Sequence, residues 1–170
     1  MSAESPASPN VVRLAALERG ALETLLAPYG LRVEWSRAPD IAGSYWGESE
    51  AGLIGDRLVV RPDTPVHSAL HEACHYICAD HGRRAVLHTD AGGDDLEECA
   101  VCYLQCLLAG ALPGYSTAQA WTDMDAWGYS FRLGSAQAWF ERDAEDARAW
   151  LAGHRLLPDN DGPVRTSPAP

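Results

Sequence analysis

The chain has 170 residues, 46% of them hydrophobic, which suits one domain with an ample core and excludes a fully disordered protein. Aspartate and glutamate number 24 against 13 lysines and arginines, so the net charge is −11. Nucleic acids and anionic membranes bind basic surfaces, and we therefore expect neither as a partner.

The N-terminal segment is polar and lacks the basic and apolar stretches of a secretion signal. No apolar run is long enough to cross a membrane. The cysteines are odd in number and fall in apolar segments with helical patterning, where reduced cysteine packs as a small hydrophobic residue. They are Cys74, Cys78, Cys99, Cys102 and Cys106. This usage predicts a reduced, cytoplasmic protein.

The pattern of the first half predicts a helix followed by a small sheet. Apolar residues recur at helical spacing over residues 10–27, and residues 31–35 alternate between apolar and charged. Residues 51–54 and 57–61 predict a hairpin around the turn Gly55-Asp56. The strands all precede the longer helices, so the order predicts an α+β fold with an antiparallel sheet.

The second half predicts four helices with recognisable starts. Asp63 or Thr64 caps the first, with Pro65 in its first turn, and it runs to about residue 79. The others are expected to begin after Asp94 or Asp95, at Ser116 and at Ser135, and to end near residues 111, 128 and 153. Residues 1–9 and 158–170 are rich in proline, serine, aspartate and glycine, which predicts flexible tails around a single domain, residues 10–157.

The first of these helices carries the run His71-Glu72-Ala73-Cys74-His75. Residues four apart lie one turn above another, so His71 and His75 point the same way and can hold one Zn²⁺. Glu72 is rotated by about 100° from His71, where it can act as a base toward water beside the metal. The spacing predicts hydrolysis of a carbonyl-type bond.

A catalytic zinc site usually has three protein ligands. The alternatives are a glutamate of the next helix, Glu97 or Glu98, and His81, ten residues after His71. The His81 arrangement needs a sharp turn made by a glycine where this chain has Cys78, which disfavours it. Glu97 shares an apolar stripe with Ala100, Val101, Leu104 and Leu108. We expect that stripe to face the motif helix, and so predict Glu97 as the third ligand.

The run 71–75 followed by Glu97-Glu98-Cys99-Ala100, a Leu107-Leu108 pair and Pro113 resembles the ImmA/IrrE-type metallopeptidases. The resemblance covers about 45–50 residues and few specific positions. It implies a zincin-like, gluzincin-type domain with His71, His75 and Glu97 as zinc ligands and Glu72 as the base. Family members often act on a regulatory protein, so the expected partner is a protein or peptide substrate.

Two functional hypotheses follow from these motifs. The first is a zinc-dependent metallopeptidase with Glu72 as its catalytic residue. The alternative is a catalytically silent module of the same fold that acts by binding a protein. Glu72 favours the enzyme, because a purely structural zinc site needs no base. Tyr115 and Tyr129 are both candidates for donating a hydrogen bond to a tetrahedral intermediate, and the spacing selects neither.

Overall fold

The computed structural model describes residues 9–39, 41–43, 49–88 and 93–157. The predicted tails lie outside these ranges except for Pro9. No helix within the ranges combines the length and the apolar character needed to cross a membrane.

The described elements form a small sheet and a larger helical body. The strands are β1 (Arg32–Trp35), β2 (Gly52–Ile54) and β3 (Arg57–Val60). The helices are α1 (Ala21–Leu26), α2 (Val66–Cys78), α3 (His81–Arg84), α4 (Asp95–Ala111), α5 (Thr117–Trp127), α6 (Ala136–Arg142) and α7 (Glu145–Gly153). Short 3-10 turns cover Leu14–Ala16 and Ala27–Tyr29. This arrangement confirms the predicted α+β fold.

The sheet has the order β1-β3-β2 and is mixed. β2 and β3 form the predicted antiparallel hairpin, with Leu53 opposite Leu58. β1 instead pairs parallel with β3, from Arg32 opposite Arg57 to Trp35 opposite Val60. The expectation of a wholly antiparallel sheet is therefore wrong. The long connection between β1 and β2 permits this parallel pairing. The pairing places β3, the most apolar strand, in the buried centre of the sheet.

The helix α2 lies at the centre of the molecule, between the sheet and α4. It packs on β2 and β3 on one side and most extensively on α4 on the other. α4 in turn packs against α5 and α7, so it is covered on several sides. Leu70 and Ile77 of α2 and Leu104 of α4 are completely buried between these elements. The contact of α2 with α4 is thus the main layer of the core.

Two predicted helices are broken in the structure. The segment 10–27 contains the 3-10 turn and then α1, which begins after Gly20 at a positive φ of 86°. The segment 135–153 divides into α6 and α7 at Asp143, whose carboxylate accepts hydrogen bonds from Arg132. Helical spacing of apolar residues does not reveal such breaks, because both halves can keep their apolar faces on one core.

The predicted helix starts are confirmed for three helices. The side chains of Asp94, Ser116 and Ser135 accept hydrogen bonds from the backbone N–H three residues later, at the starts of α4, α5 and α6. The predicted start of α2 is wrong. Pro65 occupies the cap position without a side-chain cap, and the Thr64 hydroxyl accepts from the Arg61 N–H instead.

The end of α2 is held by a buried arginine that the sequence pattern does not reveal. Arg84 donates from Nε to the Tyr76 carbonyl at 2.9 Å and from Nη2 to the Ile77 carbonyl at 3.1 Å. Its guanidinium also lies 4.5 Å from the centre of the Tyr76 ring. These carbonyls belong to the last turn of α2. The helix itself provides no N–H groups that could bond to them.

Replacing Arg84 by methionine should therefore destabilise the fold. We expect Arg84→Met to lower the free energy of unfolding by about 1–3 kcal/mol, because two carbonyls lose buried donors. Urea denaturation measures this. Arg142→Met, at an exposed arginine of α6, serves as the control and should change stability by less than about 0.5 kcal/mol. Equal effects of the two substitutions would contradict this role of Arg84.

Candidate metal centre

His71 and His75 lie on the same face of α2, as their spacing predicts. Their Nε2 atoms are 3.2 Å apart, and their rings meet edge to face with centroids 4.8 Å apart. Their side chains are 16% and 11% exposed, respectively. Two ring nitrogens therefore converge on one point at the edge of the α2–α4 layer.

The side chain of Glu98 on α4 completes this group. Its Oε1 atom lies 2.9 Å from His71 Nε2, and its Oε2 atom lies 3.1 Å from His75 Nε2. The three potential ligand atoms all lie within 4.8 Å of one another. The Glu98 side chain is 49% exposed, so one side of the group is open to solvent.

The predicted ligand Glu97 does not face the histidines. Its carboxylate is buried and pairs with Arg83 Nη1 at 2.9 Å. Gly93 packs directly against it, since a Cβ at that glycine would come within 2.8 Å of Glu97 Oε2. The expected orientation of the helix is therefore wrong by one residue. The face that meets α2 carries Glu98, Cys102 and Gln105, at spacings of four and seven.

His81, the other alternative, is not part of the group of donors found among the described residues. The chain leaves α2 at Ala79 and enters α3, whose cap is Asp80. His81 is the first residue of α3 and is exposed. His81 therefore lies beyond the end of α2, in the next helix.

The donor set fits a zinc ion. Imidazole nitrogen and carboxylate oxygen are both common zinc ligands, and the two Nε2 atoms already face a shared carboxylate. No fourth candidate ligand joins this group in the part of the chain that the structure describes. Three protein ligands with an open position are typical of catalytic zinc, whereas structural zinc usually has four.

Charge also favours a cation at this point. Burial raises the pKa of Glu98, but hydrogen bonds with His71 and His75 outweigh it and hold the pKa well below its usual range. Burial lowers the pKa of His71, but Tyr129, Cys102 and Glu98 together raise it well above its usual range. An anionic carboxylate beside two imidazoles thus attracts positive charge, supplied by a proton or by a metal.

Glu72 lies close to the group without belonging to it. Burial raises the pKa of its carboxyl, and His71 and His75 partly oppose that effect. No hydrogen bond or ion pair holds the Glu72 carboxylate among the described residues. Within the described part of the chain its oxygens are therefore available to accept a proton.

The two candidate tyrosines differ in position. The Tyr115 hydroxyl donates to Asp123 Oδ2 at 2.7 Å. The Tyr129 ring meets His71 edge to face at 5.8 Å. Only Tyr129 thus adjoins the candidate centre.

Sequence reasoning missed Gln105, which contacts His71 Nδ1 at 2.9 Å. The one sign of this role in the sequence is that Gln105 is a polar residue within an otherwise apolar run, seven positions after Glu98. The run is Leu104-Gln105-Cys106-Leu107-Leu108.

The cysteines are all free. Cys74, Cys78, Cys102 and Cys106 are buried, which confirms the predicted packing role, whereas Cys99 is exposed. Burial raises the pKa of the Cys74 and Cys78 thiols, so both stay protonated near neutral pH.

Comparisons with protein-family models, with curated proteins and with solved structures find no match for this chain. The motif and the geometry of the candidate centre are therefore the observations that bear on its function.

Substitution of the two neighbouring glutamates separates their roles. Glu98→Gln should weaken zinc binding by at least about tenfold, because a neutral amide is a poorer ligand than a carboxylate. Glu97→Gln is the matched control. It should leave zinc affinity nearly unchanged and lower the free energy of unfolding by about 1–3 kcal/mol, because the buried ion pair of Glu97 with Arg83 is lost. Chelator competition and urea denaturation measure these quantities. The reverse result would restore Glu97 as the ligand.

His67 extends the histidine stripe by one turn but lies in the core. It is 1% exposed, between Trp127 and Tyr129, and its Nδ1 lies 3.2 Å from the Tyr129 hydroxyl. Burial first, and then the charges of His71 and Arg13, lower its pKa from 6.5 to about 3. Folding thus favours the neutral form of His67.

This shift predicts a dependence of stability on pH. Between pH 6.5 and about 3 the unfolded chain binds a proton at this position that the folded chain does not. The contribution of His67 to the free energy of unfolding is therefore complete above pH 6.5. It declines by up to about 1.4 kcal/mol for each pH unit below that value. His67→Phe keeps an aromatic ring but cannot titrate. Urea denaturation at pH 7 and pH 5 should show a smaller loss of stability in the variant, and equal losses would contradict the shift.

Proposed function

We propose that this protein is a zinc-dependent metallopeptidase that hydrolyses peptide bonds. The observation that carries the proposal is the convergence of His71, His75 and Glu98 on one point, next to the half-buried carboxylate of Glu72. The first three residues would hold the ion through their ring nitrogens and carboxylate oxygens.

Zinc at this position would supply a Lewis acid that polarises a carbonyl and acidifies water. Glu72 would take a proton from the attacking water and pass it to the leaving amine. Its raised pKa supports that role, because a carboxylate that titrates closer to neutrality accepts and returns a proton more evenly.

The open side of the group favours catalysis over a structural role. Glu98 is half exposed, so a substrate carbonyl can approach from solvent. The resemblance of the motif helix and α4 to ImmA/IrrE-type metallopeptidases supports the same class, with Glu98 in place of Glu97. We further propose a protein or peptide substrate, including a regulatory protein, and neither nucleic acid nor membrane as a partner. The free cysteines support a reducing cytoplasmic location.

Metal analysis of the purified protein after incubation with zinc and removal of the excess is the deciding experiment. About one zinc per chain is expected, and both His71→Ala and His75→Ala should lose it while remaining folded. A folded wild-type protein that retains no zinc would refute the proposal.

Glu72→Gln should retain zinc but lose hydrolysis by about 10²–10⁴-fold, since a general base contributes about that much. Cleavage of a proteome-derived peptide library, read by mass spectrometry, measures it. Glu145→Gln, at an exposed position of α7, is the control and should cleave as the wild type does. Full activity of Glu72→Gln would remove Glu72 as the base. A zinc-loaded wild type without cleavage would favour the silent binding module.

A further inference from the structure

Gln105 is a polar side chain in the middle of α4 that is completely buried. Its two functional atoms both contact α2. Nε2 donates a hydrogen bond to the His67 carbonyl at 2.8 Å, and Oε1 lies 2.9 Å from His71 Nδ1. A buried amide without partners is costly, and here both ends are satisfied by the motif helix.

The orientation of this amide follows from its partners. A backbone carbonyl only accepts hydrogen bonds, so the NH₂ group of Gln105 must face His67. Its carbonyl oxygen is then left to face His71, and that oxygen also only accepts. His71 Nδ1 must therefore carry a hydrogen and donate it to Gln105.

This hydrogen decides which nitrogen of His71 is free for a metal. With Nδ1 occupied as a donor, the lone pair of the neutral ring lies on Nε2, the atom that faces Glu98 and His75. His75 is arranged differently. Its Nδ1 atom is buried and has no hydrogen-bond partner among the described residues. Within the described ranges, only His71 of the two histidines thus has a side chain that accepts a hydrogen bond from its Nδ1 and so orients the ring.

We propose that Gln105 is the positioning residue of the metal centre, which holds His71 with its hydrogen on Nδ1 and presents Nε2 to the ion. The proposal rests on the proposed zinc site for its consequence but not for the hydrogen bond itself. Groups that orient a metal-binding histidine in this way typically change metal affinity by 10–100-fold when they are removed.

Zinc affinity in two variants tests the role against a merely structural one. Gln105→Met has a similar shape and no hydrogen bonds, and should weaken zinc binding by about 10–100-fold in chelator competition. Gln105→Glu keeps an acceptor toward His71 and loses the donor to His67, so it should bind zinc more tightly than Gln105→Met. Both variants should be less stable than the wild type. Equal zinc affinity in the two variants, or weaker binding by Gln105→Glu than by Gln105→Met, would overturn the proposal.

Thr117→Val is the matched control. The Thr117 hydroxyl donates to the carbonyl of Cys106, the residue next to Gln105, at 2.9 Å, and it contacts neither histidine. This variant loses one hydrogen bond to α4, and its zinc affinity should stay within about twofold of the wild type. A loss as large as that of Gln105→Met would show that any loosening of α4 weakens the site, and would overturn the proposal.

NMR of the metal-free protein with ¹⁵N-labelled histidine separates this inference from the proposed function. The wild type should show a slowly exchanging Nδ1–H signal of His71, which Gln105→Met should lose. If the wild type binds no zinc but shows this signal, the proposed function fails and the positioning of His71 stands. If the signal is missing or survives in the variant, the inference fails whatever the protein binds.

Discussion

The packing of α2 against α4 is the contact on which the fold and the candidate centre both depend. α2 supplies His71 and His75 one turn apart, and α4 supplies Glu98 and Gln105 two turns apart. Each pair is incomplete alone. The two helices must lie in one register for the carboxylate to reach both imidazoles while the amide reaches one of them from behind.

Contacts outside the centre maintain that register. The sheet packs against α2 through β2 and β3, Arg84 binds the last carbonyls of α2, and Asp94 caps the first turn of α4. The pair of Glu97 with Arg83 ties the start of α4 to α3, which follows directly after α2. Glu97, which the sequence predicted as a zinc ligand, thus makes a structural contact next to the candidate centre.

Charge and burial give three neighbouring carboxylates different environments. Glu97 pairs with an arginine, and Glu98 is held as an anion by two imidazoles. Glu72 is partly desolvated and has no hydrogen-bond or ion-pair partner among the described residues. The three environments make one carboxylate structural, one suited to a metal and one suited to a proton. Neighbouring residue types alone do not distinguish them.

The sequence by itself determined the local features: the α+β class, the hairpin, the starts of α4, α5 and α6, and the shared face of His71 and His75. These depend on patterns of residues that are close together in the sequence. The third donor, the parallel pairing of β1 and the role of Gln105 depend on which face of one element meets another. α4 is buried on several sides, so its apolar residues form more than one stripe, and only the packed structure selects the face with Glu98.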